Sequence, residues 1–274
     1  MNIYDFVITV LQSQIPFFTW LAVFFVGFGL LAQIMPCNKN QPLIREGMIT
    51  DILYGVFMPI ISKYFMTIYI LGGFGIIFYG VPPAEIQNYI NNGYGVLATL
   101  PLWLQAALVF ILSDILLYFG HRWFHGKKMW RWHAIHHSPK TVDWLSTHRF
   151  HPVNTVVTFV AVNALMILIG FSPESIAIMG TFNMLYSAMV HANLNWTFGK
   201  FKYLFASPVF HRWHHTTQKE GMNKNFAPTL PLLDIMFGTF YMPEGKLPEH
   251  YGVNGADIPE DFIGQIAWSF KQNT

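Results

Sequence analysis

Charge is scarce in this chain: of 274 residues, 16 are Lys or Arg and 14 are Asp or Glu, 11% in all. Soluble domains carry about 25%, and so few ionised groups cannot cover a water-soluble globule of this size. With 53% hydrophobic residues, 17% aromatic residues and a mean hydropathy of +0.36, the composition excludes an ordinary soluble enzyme and points to an integral membrane protein. Cysteine is scarcer still. The single Cys37 excludes an intrachain disulfide framework and any thiolate-rich zinc site. A net charge of +2 supplies no basic field for nucleic acid. Histidine, by contrast, is abundant, with 12 residues. Ionisable groups in or beside a membrane are costly unless they serve a function, so their positions carry the argument.

Five apolar stretches organise the chain. Pro16 to Met35 has no charge and is long enough to cross a hydrocarbon core. Met1 to Phe18 contains no Lys or Arg, so a retained span is expected rather than a cleaved signal peptide. Ile52 to Tyr79 is interrupted by Pro59 and Lys63; it reads either as an interfacial helix followed by a span or as one tilted helix with Lys63 snorkelling. Val96 to Gly120 holds one acid, Asp114. Val153 to Gly170 and Ser175 to Val190 form a helical hairpin through the turn Phe171-Ser172-Pro173-Glu174. Lys and Arg follow the first, third and fifth stretches, whereas Gly80 to Gly95 and Phe171 to Glu174 have none. Positive charge favours the cytoplasmic side, which sets the N-terminus outside and the C-terminus in the cytoplasm.

The fold class is therefore an all-α integral membrane protein with four to five transmembrane helices and a cytoplasmic helical cap carrying the histidines. One membrane domain covers residues 1–274: N-terminal spans over 1–95, a histidine-rich catalytic region over 96–242, and a cytoplasmic tail over 243–274. The tail, with Pro243, Pro248 and Pro259, reads as mostly extended.

Seven histidines fall between His121 and His151, and three more between His211 and His215. His121-x-x-x-His125 ends the third stretch. At 100° per residue, Asp114, Tyr118, His121 and His125 share an arc of roughly 60°, so a carboxylate stands where it can orient a ligating imidazole. His133-x-x-His136-His137 and His211-x-x-His214-His215 have identical spacing. Positions i, i+3 and i+4 of a helix face one way, so each triplet is expected to point its three rings at one centre. One such triplet arises by chance with a probability on the order of 10⁻², and two plus the His-x-x-x-His make metal binding the better explanation.

Eight imidazoles exceed the needs of one ion, so two metals are implied. No thiolate favours copper(I) or an iron–sulfur cluster, and the Glu-x-x-His motif of soluble di-iron bundles is missing. A nitrogen-rich di-iron centre fits best. Bis-histidine haem ligation competes but leaves the adjacent histidine pairs unexplained.

Taken together, Ser113-Asp114-x-x-x-Tyr118-x-x-His121-Arg122-x-x-His125, Trp132-His133-x-x-His136-His137-Ser138, Ser207-Pro208-x-x-His211-Arg212-x-His214-His215, Asn225-Phe226 and Asp234-x-x-Phe237-Gly238-Thr239 resemble the fatty acid hydroxylase superfamily, also called the sterol desaturase family. The resemblance covers about residues 110 to 242. It implies a membrane-embedded, O2-dependent lipid hydroxylase or desaturase with two iron ions, replaceable by zinc in a purified sample. The implied ligands are His121, His125, His133, His136, His137, His211, His214 and His215. His191 matches a further family histidine that commonly completes the set. Where the fatty acid 2-hydroxylase branch has another histidine four residues on, this chain has Asn195. His148-x-x-His151-Pro152 is similar to the sterol C5-desaturase branch, and both residues stand as ligands, as hydrogen-bond partners behind the ligands, or as interfacial groups.

Further roles follow from residue type. Asp114 is expected to orient a ligand histidine. Asp234 either does the same for the last box or caps the turn before Phe237-Gly238. Trp123, Trp130, Trp132 and Trp213 could line a lipid pocket but read first as interface anchors. Lys127, Lys128 and Arg131 suit an acidic electron donor and equally a bilayer surface. The expected substrate is a membrane lipid, whether sterol, fatty acyl or related. With the length used up by spans and boxes, a separate electron donor of ferredoxin, cytochrome or reductase type is expected, and no nucleic acid. No retention signal stands at Lys271 to Thr274, and the compact length favours a bacterial inner membrane over the endoplasmic reticulum. The alternative from another class is a non-catalytic metal-binding or haem-carrying membrane protein.

Overall fold

The computed structural model describes residue 12 and residues 15–272; the rest, including the start of the chain used in the signal-peptide reading and the last two residues of the tail, lie outside the described residues. Helix α1 (Ile15–Ile34) is twenty residues without a charge. Helix α2 (Met48–Ile77) continues for thirty residues through Pro59, about 45 Å at 1.5 Å per residue. The second apolar stretch is thus one continuous helix. The following loop carries α3 (Pro83–Asn92), with no buried residue, and the short α4 (Gly95–Thr99).

Helix α5 (Leu102–Phe124) leads into the cap helix α6 (Trp130–His137). Asp143 then caps a 3-10 turn, Trp144–His148, by accepting from Leu145 N and Ser146 N. Helix α7 (Pro152–Leu168) begins behind Pro152 and contains a π-helical turn at Val156–Val160. Helix α8 (Pro173–His191) starts with Ser172 as its cap and Pro173 in its first turn. Short cap helices α9 (Pro208–His214) and α10 (Leu232–Met236) follow, then α11 (Phe262–Lys271). Among the described residues the only β pairing is an isolated bridge between Thr216 and Tyr251.

Among the described residues two helices, α2 and α5, are long and apolar enough to cross a membrane, while Phe18–Ile34 and Pro152–Leu168 are shorter apolar helices. Their outer flanks are apolar and uncovered, with Ile76 81% and Trp103 71% exposed, as lipid-facing surfaces require. Inside, Ala106, Val109, Met166, Phe171 and Met179 join α5, α7 and α8. Phe24, Trp144, Leu145 and Ala188 tie α1 and α8 to the 3-10 turn.

The tail departs from the extended reading. Its residues 262–271 form α11, whose Phe262 and Ile266 pack with Ile258 against Tyr54 and Met58 of α2 and Ile135 of α6. Apolar residues at positions 262, 263, 266, 267 and 270 give one helical face, and the three prolines all lie before it.

A buried ionic knot fixes the cap to α2. Asp51 accepts from Arg45 Nη2 and Arg149 Nε, each at 2.5 Å, and Arg45 Nε donates to Asp143 at 2.6 Å. Arg149 Nη2 also donates to the carbonyl of Gly47. Gly47 has φ +75°, and a Cβ there would stand 2.5 Å from that guanidinium nitrogen, so both backbone and space demand glycine.

Candidate metal centre

Four helix ends converge to build the centre. His121 closes α5 and His125 is its C-cap; His133, His136 and His137 lie on α6; His191 ends α8; His211 and His214 lie on α9, with His215 its C-cap. The nine rings sort into two groups. Ligand atoms of His121, His125, His133, His137 and His214 lie within 4.8 Å of one another, as do those of His136, His191, His211 and His215.

This sorting corrects the expectation that each triplet serves one centre. On α6 the i and i+4 pair, His133 and His137, joins the five-histidine group and His136 the other. On α9 the pair His211 and His215 joins the four-histidine group and His214 the other. Positions i+3 and i+4 differ by 100° around a helix, enough to aim adjacent histidines at different neighbours.

Backbone and amide oxygens set the ring orientations. Nδ1 of His121 donates to Phe226 O at 2.7 Å, of His133 to Asn154 Oδ1 at 2.7 Å, and of His136 to Arg149 O at 3.1 Å. Nδ1 of His191 donates to Ser187 O at 2.7 Å and of His214 to Lys224 O at 2.8 Å. Nδ1 of His125 faces Asn223 Oδ1 at 3.2 Å. With Nδ1 carrying the proton, each Nε2 keeps a lone pair for a cation.

The Nε2 atoms point inward. His121 and His133 approach to 3.0 Å, His191 and His211 to 3.0 Å, His211 and His215 to 3.1 Å, and His136 and His191 to 3.3 Å. An ion about 2.1 Å from each nitrogen sets neighbouring ligand atoms roughly 3.0–3.4 Å apart. Nε2 of His125, His137 and His214 is buried without a hydrogen-bond partner. Such orphans are unfavourable, and a shared cation satisfies them, so the residues present fit two metal ions held by nitrogen alone. Burial, with the neighbouring imidazoles, holds His133, His136, His137, His211, His214 and His215 well below the ordinary histidine pKa. Neutral rings are the form that binds metal.

The remaining candidate residues lie outside both groups. His151 caps α7, its Nδ1 accepting from Val153 N at 3.1 Å, and its ring lies 4.6 Å from that of Trp132. Burial lowers both His151 and His148 to about 4. Asp114 Oδ2 accepts from Leu230 N at 3.1 Å, so the carboxylate braces the 229–230 segment instead of orienting a histidine. Asp234 accepts from Phe226 N and Ala227 N, each at 2.8 Å, and from Thr239 Oγ1 at 2.6 Å. It therefore holds the loop whose Phe226 carbonyl receives His121. Asn195 bonds through its backbone to Met35 O and is not in either group. Of the four tryptophans read as interface anchors, Trp123 is exposed, but Trp132 and Trp213 are buried and Trp130 packs 5.0 Å from His125.

Several residues behind the rings escaped sequence reasoning because they act through the backbone or from remote segments. Asn154, Ser187 and Arg149 are examples. Asn225, at φ +58°, bends the loop while its amide bonds Phe210 O at 2.8 Å and Tyr241 O at 2.7 Å, and so presents the flanking carbonyls of Lys224 and Phe226 to two histidines. Its place in the Asn225-Phe226 pair was the available signal.

A cleft with a cavity volume of about 100 Å³ opens beside the rings. Phe110, Leu117, Phe150, Phe159 and Val190 line it, and His121, His133, His136, His191 and His211 reach its wall, so both groups border it. The π-helical turn of α7 contributes Thr158 and Phe159; such turns recur at functional sites.

Comparison with known proteins agrees with this geometry. Residues 106–239 match the fatty acid hydroxylase family. Ornithine lipid hydroxylase OlsE of Rhizobium tropici is 27% identical over 173 residues, covering 63% of this chain and 52% of its own length. Alkylglycerol monooxygenase of Xenopus tropicalis is 28% identical over 229 residues, covering 82% of this chain and 47% of its own. A very-long-chain aldehyde decarbonylase of Oryza sativa subsp. indica is 28% identical over 169 residues, 57% of this chain and 62% of its own. The chain spans about half the length of the first two relatives. No solved structure matches it. The region that carries both histidine groups, residues 106–239, thus matches the fatty acid hydroxylase family.

Proposed function

We propose that this protein is an O2-dependent lipid hydroxylase or desaturase that oxidises a membrane-embedded lipid at two iron ions. The observation that carries the reading is the pair of buried histidine groups, five and four rings, both bordering one largely apolar cleft. The proposed ligands are His121, His125, His133, His137 and His214 for one ion and His136, His191, His211 and His215 for the other. When bound, the irons supply the oxidising power that an unactivated C–H bond requires, which no side chain can provide. The chain's own residues hold the rings neutral and oriented, seat the lipid against them and exclude water. A haem carrier is disfavoured because the Nε2 atoms of each group converge to 3.0–3.3 Å, too close for a macrocycle to lie between them.

The arrangement in the membrane is proposed as five spans, α1, α2, α5, α7 and α8, with the cap on the cytoplasmic side. Electrons then come from a separate ferredoxin, cytochrome or reductase-type donor on that side. A bacterial inner membrane is the proposed location, in keeping with the bacterial source of one relative. Metal analysis and absorption spectroscopy of the purified protein test the core of the reading. About two irons or zincs per chain without a haem band are expected, and a Soret band or a metal-free protein would overturn it. Lipid profiles of cells with and without the gene then identify the product.

A further inference from the structure

Polar side chains on the cleft wall are nearly all satisfied within the protein. Asn154 and Thr158 bond each other, Tyr186 donates to Ala206 O, Ser187 pairs with Thr147, and Asp114 receives Leu230 N. Asn183 is the exception: it lines the cleft, yet among the described residues its amide has no hydrogen-bond partner. The residue is half-buried, and an amide facing an apolar cleft with no partner of its own gains most from a ligand that hydrogen-bonds it.

Its position is informative. Asn183 precedes His191 by eight residues on α8, about 12 Å along the axis. Asp114 precedes His121 by seven on α5, about 10 Å. The rings of Phe182 and Phe110 meet edge to face at 5.5 Å, one residue from Asn183 and one turn from Asp114, so the two polar groups stand within about one helical turn of each other along the cleft.

We propose that Asn183 is the recognition point for a polar group on the lipid substrate, a hydroxyl or an amide carried about 10–12 Å from the carbon that reaches the metal centre. An amide side chain both donates and accepts, matching a group that does the same. The Asp114 carboxylate at that level selects against an anion, and the apolar walls select against any ionised group. This rests on the reading of the cleft as the lipid site of an oxygenase, and it defines the substrate as a lipid with an uncharged polar group partway along its length.

Native mass spectrometry of the purified full chain tests it, with hexadecanol, hexadecanamide and hexadecane as probes. The wild type should retain the alcohol and the amide roughly three- to tenfold better than the alkane. Asn183→Leu should abolish that preference while leaving alkane binding and metal content unchanged. Equal binding of all three probes by the wild type, or an undiminished preference in Asn183→Leu, would overturn the proposal. If the leucine variant loses its metal through misfolding, Asn183→Ser takes its place, with a weakened preference expected and an unchanged one counting against the proposal. Metal content measured on the same samples is a separate readout: a wild type without metal defeats the oxygenase reading even where the probe preference holds.

Discussion

The rings of His137 and His215 stack with centroids 4.4 Å apart and planes at 29°, although the first belongs to the five-histidine group and the second to the four-histidine group. The two groups therefore share a wall of imidazole. Two ions held by these groups would sit side by side, and rings of both groups border one cleft.

Removing one ring should empty one group and spare the other. His136→Ala is expected to lower metal content from about two ions per chain to about one, and activity by at least a hundredfold. His125→Ala, in the five-histidine group, should leave the four-histidine ion in place. Elemental analysis of both variants checks the assignment; unchanged stoichiometry in His136→Ala removes that residue from the ligand set.

Orientation from behind the rings should matter nearly as much. Asn154 Oδ1 is the acceptor for His133 Nδ1, so Asn154→Leu is expected to cost about 10–100-fold in metal affinity. Asn154→Asp keeps the acceptor and should retain most of it. Competition with a chelator measures both.

Stability of the metal-free protein should depend on pH in a defined direction. Burial depresses His133, His136, His137, His211, His214 and His215 in the folded state, whereas the unfolded chain titrates near 6.5. Below about pH 6.5 the unfolded state therefore binds more protons, and stability falls as pH drops. A plateau above about pH 7 and a steep loss toward pH 5 are expected in thermal melts. A flat profile would show that the rings are not buried neutral.

The ionic knot under the cap should be strongly destabilising to break. Arg149→Met leaves Asp51 buried with one partner fewer and is expected to cost about 3–5 kcal/mol. The same change loosens the segment whose Arg149 carbonyl receives His136, so metal retention should fall with thermal stability. A melt unchanged from wild type would mean that Arg45 alone satisfies Asp51.

Filling the cleft should separate lipid access from metal binding. Leu117 lines the cleft outside both histidine groups, and Leu117→Trp is expected to leave two ions bound while product formation drops by about a hundredfold. Lipid profiling of expressing cells, paired with metal analysis, checks this.

Much of the centre was legible in the sequence because histidines three and four residues apart must lie near one another on any helix. All nine rings named from spacing and family resemblance stand in the two groups. The hydrogen-bond partners were not legible. Phe226 O lies 105 residues from His121 and Lys224 O ten from His214, and both are backbone groups that every residue carries. Asp114 and Asp234 looked like direct partners by residue type, yet chain packing brings amide N–H groups to them instead. The tail helix was hidden because prolines at 243, 248 and 259 all precede it, leaving residues 262–271 free to coil.

By itself, then, the sequence determined an all-helical chain of membrane-like composition whose clustered imidazoles suit a nitrogen-rich metal site, since so little charge is at hand for a solvated surface and the histidines recur at helical spacing. Only the tertiary structure decided how the rings divide. Spacing fixes angles around one helix axis, but whether position i+3 or i+4 meets a given partner depends on which helix packs beside it, and that is settled by contacts between segments far apart in the chain.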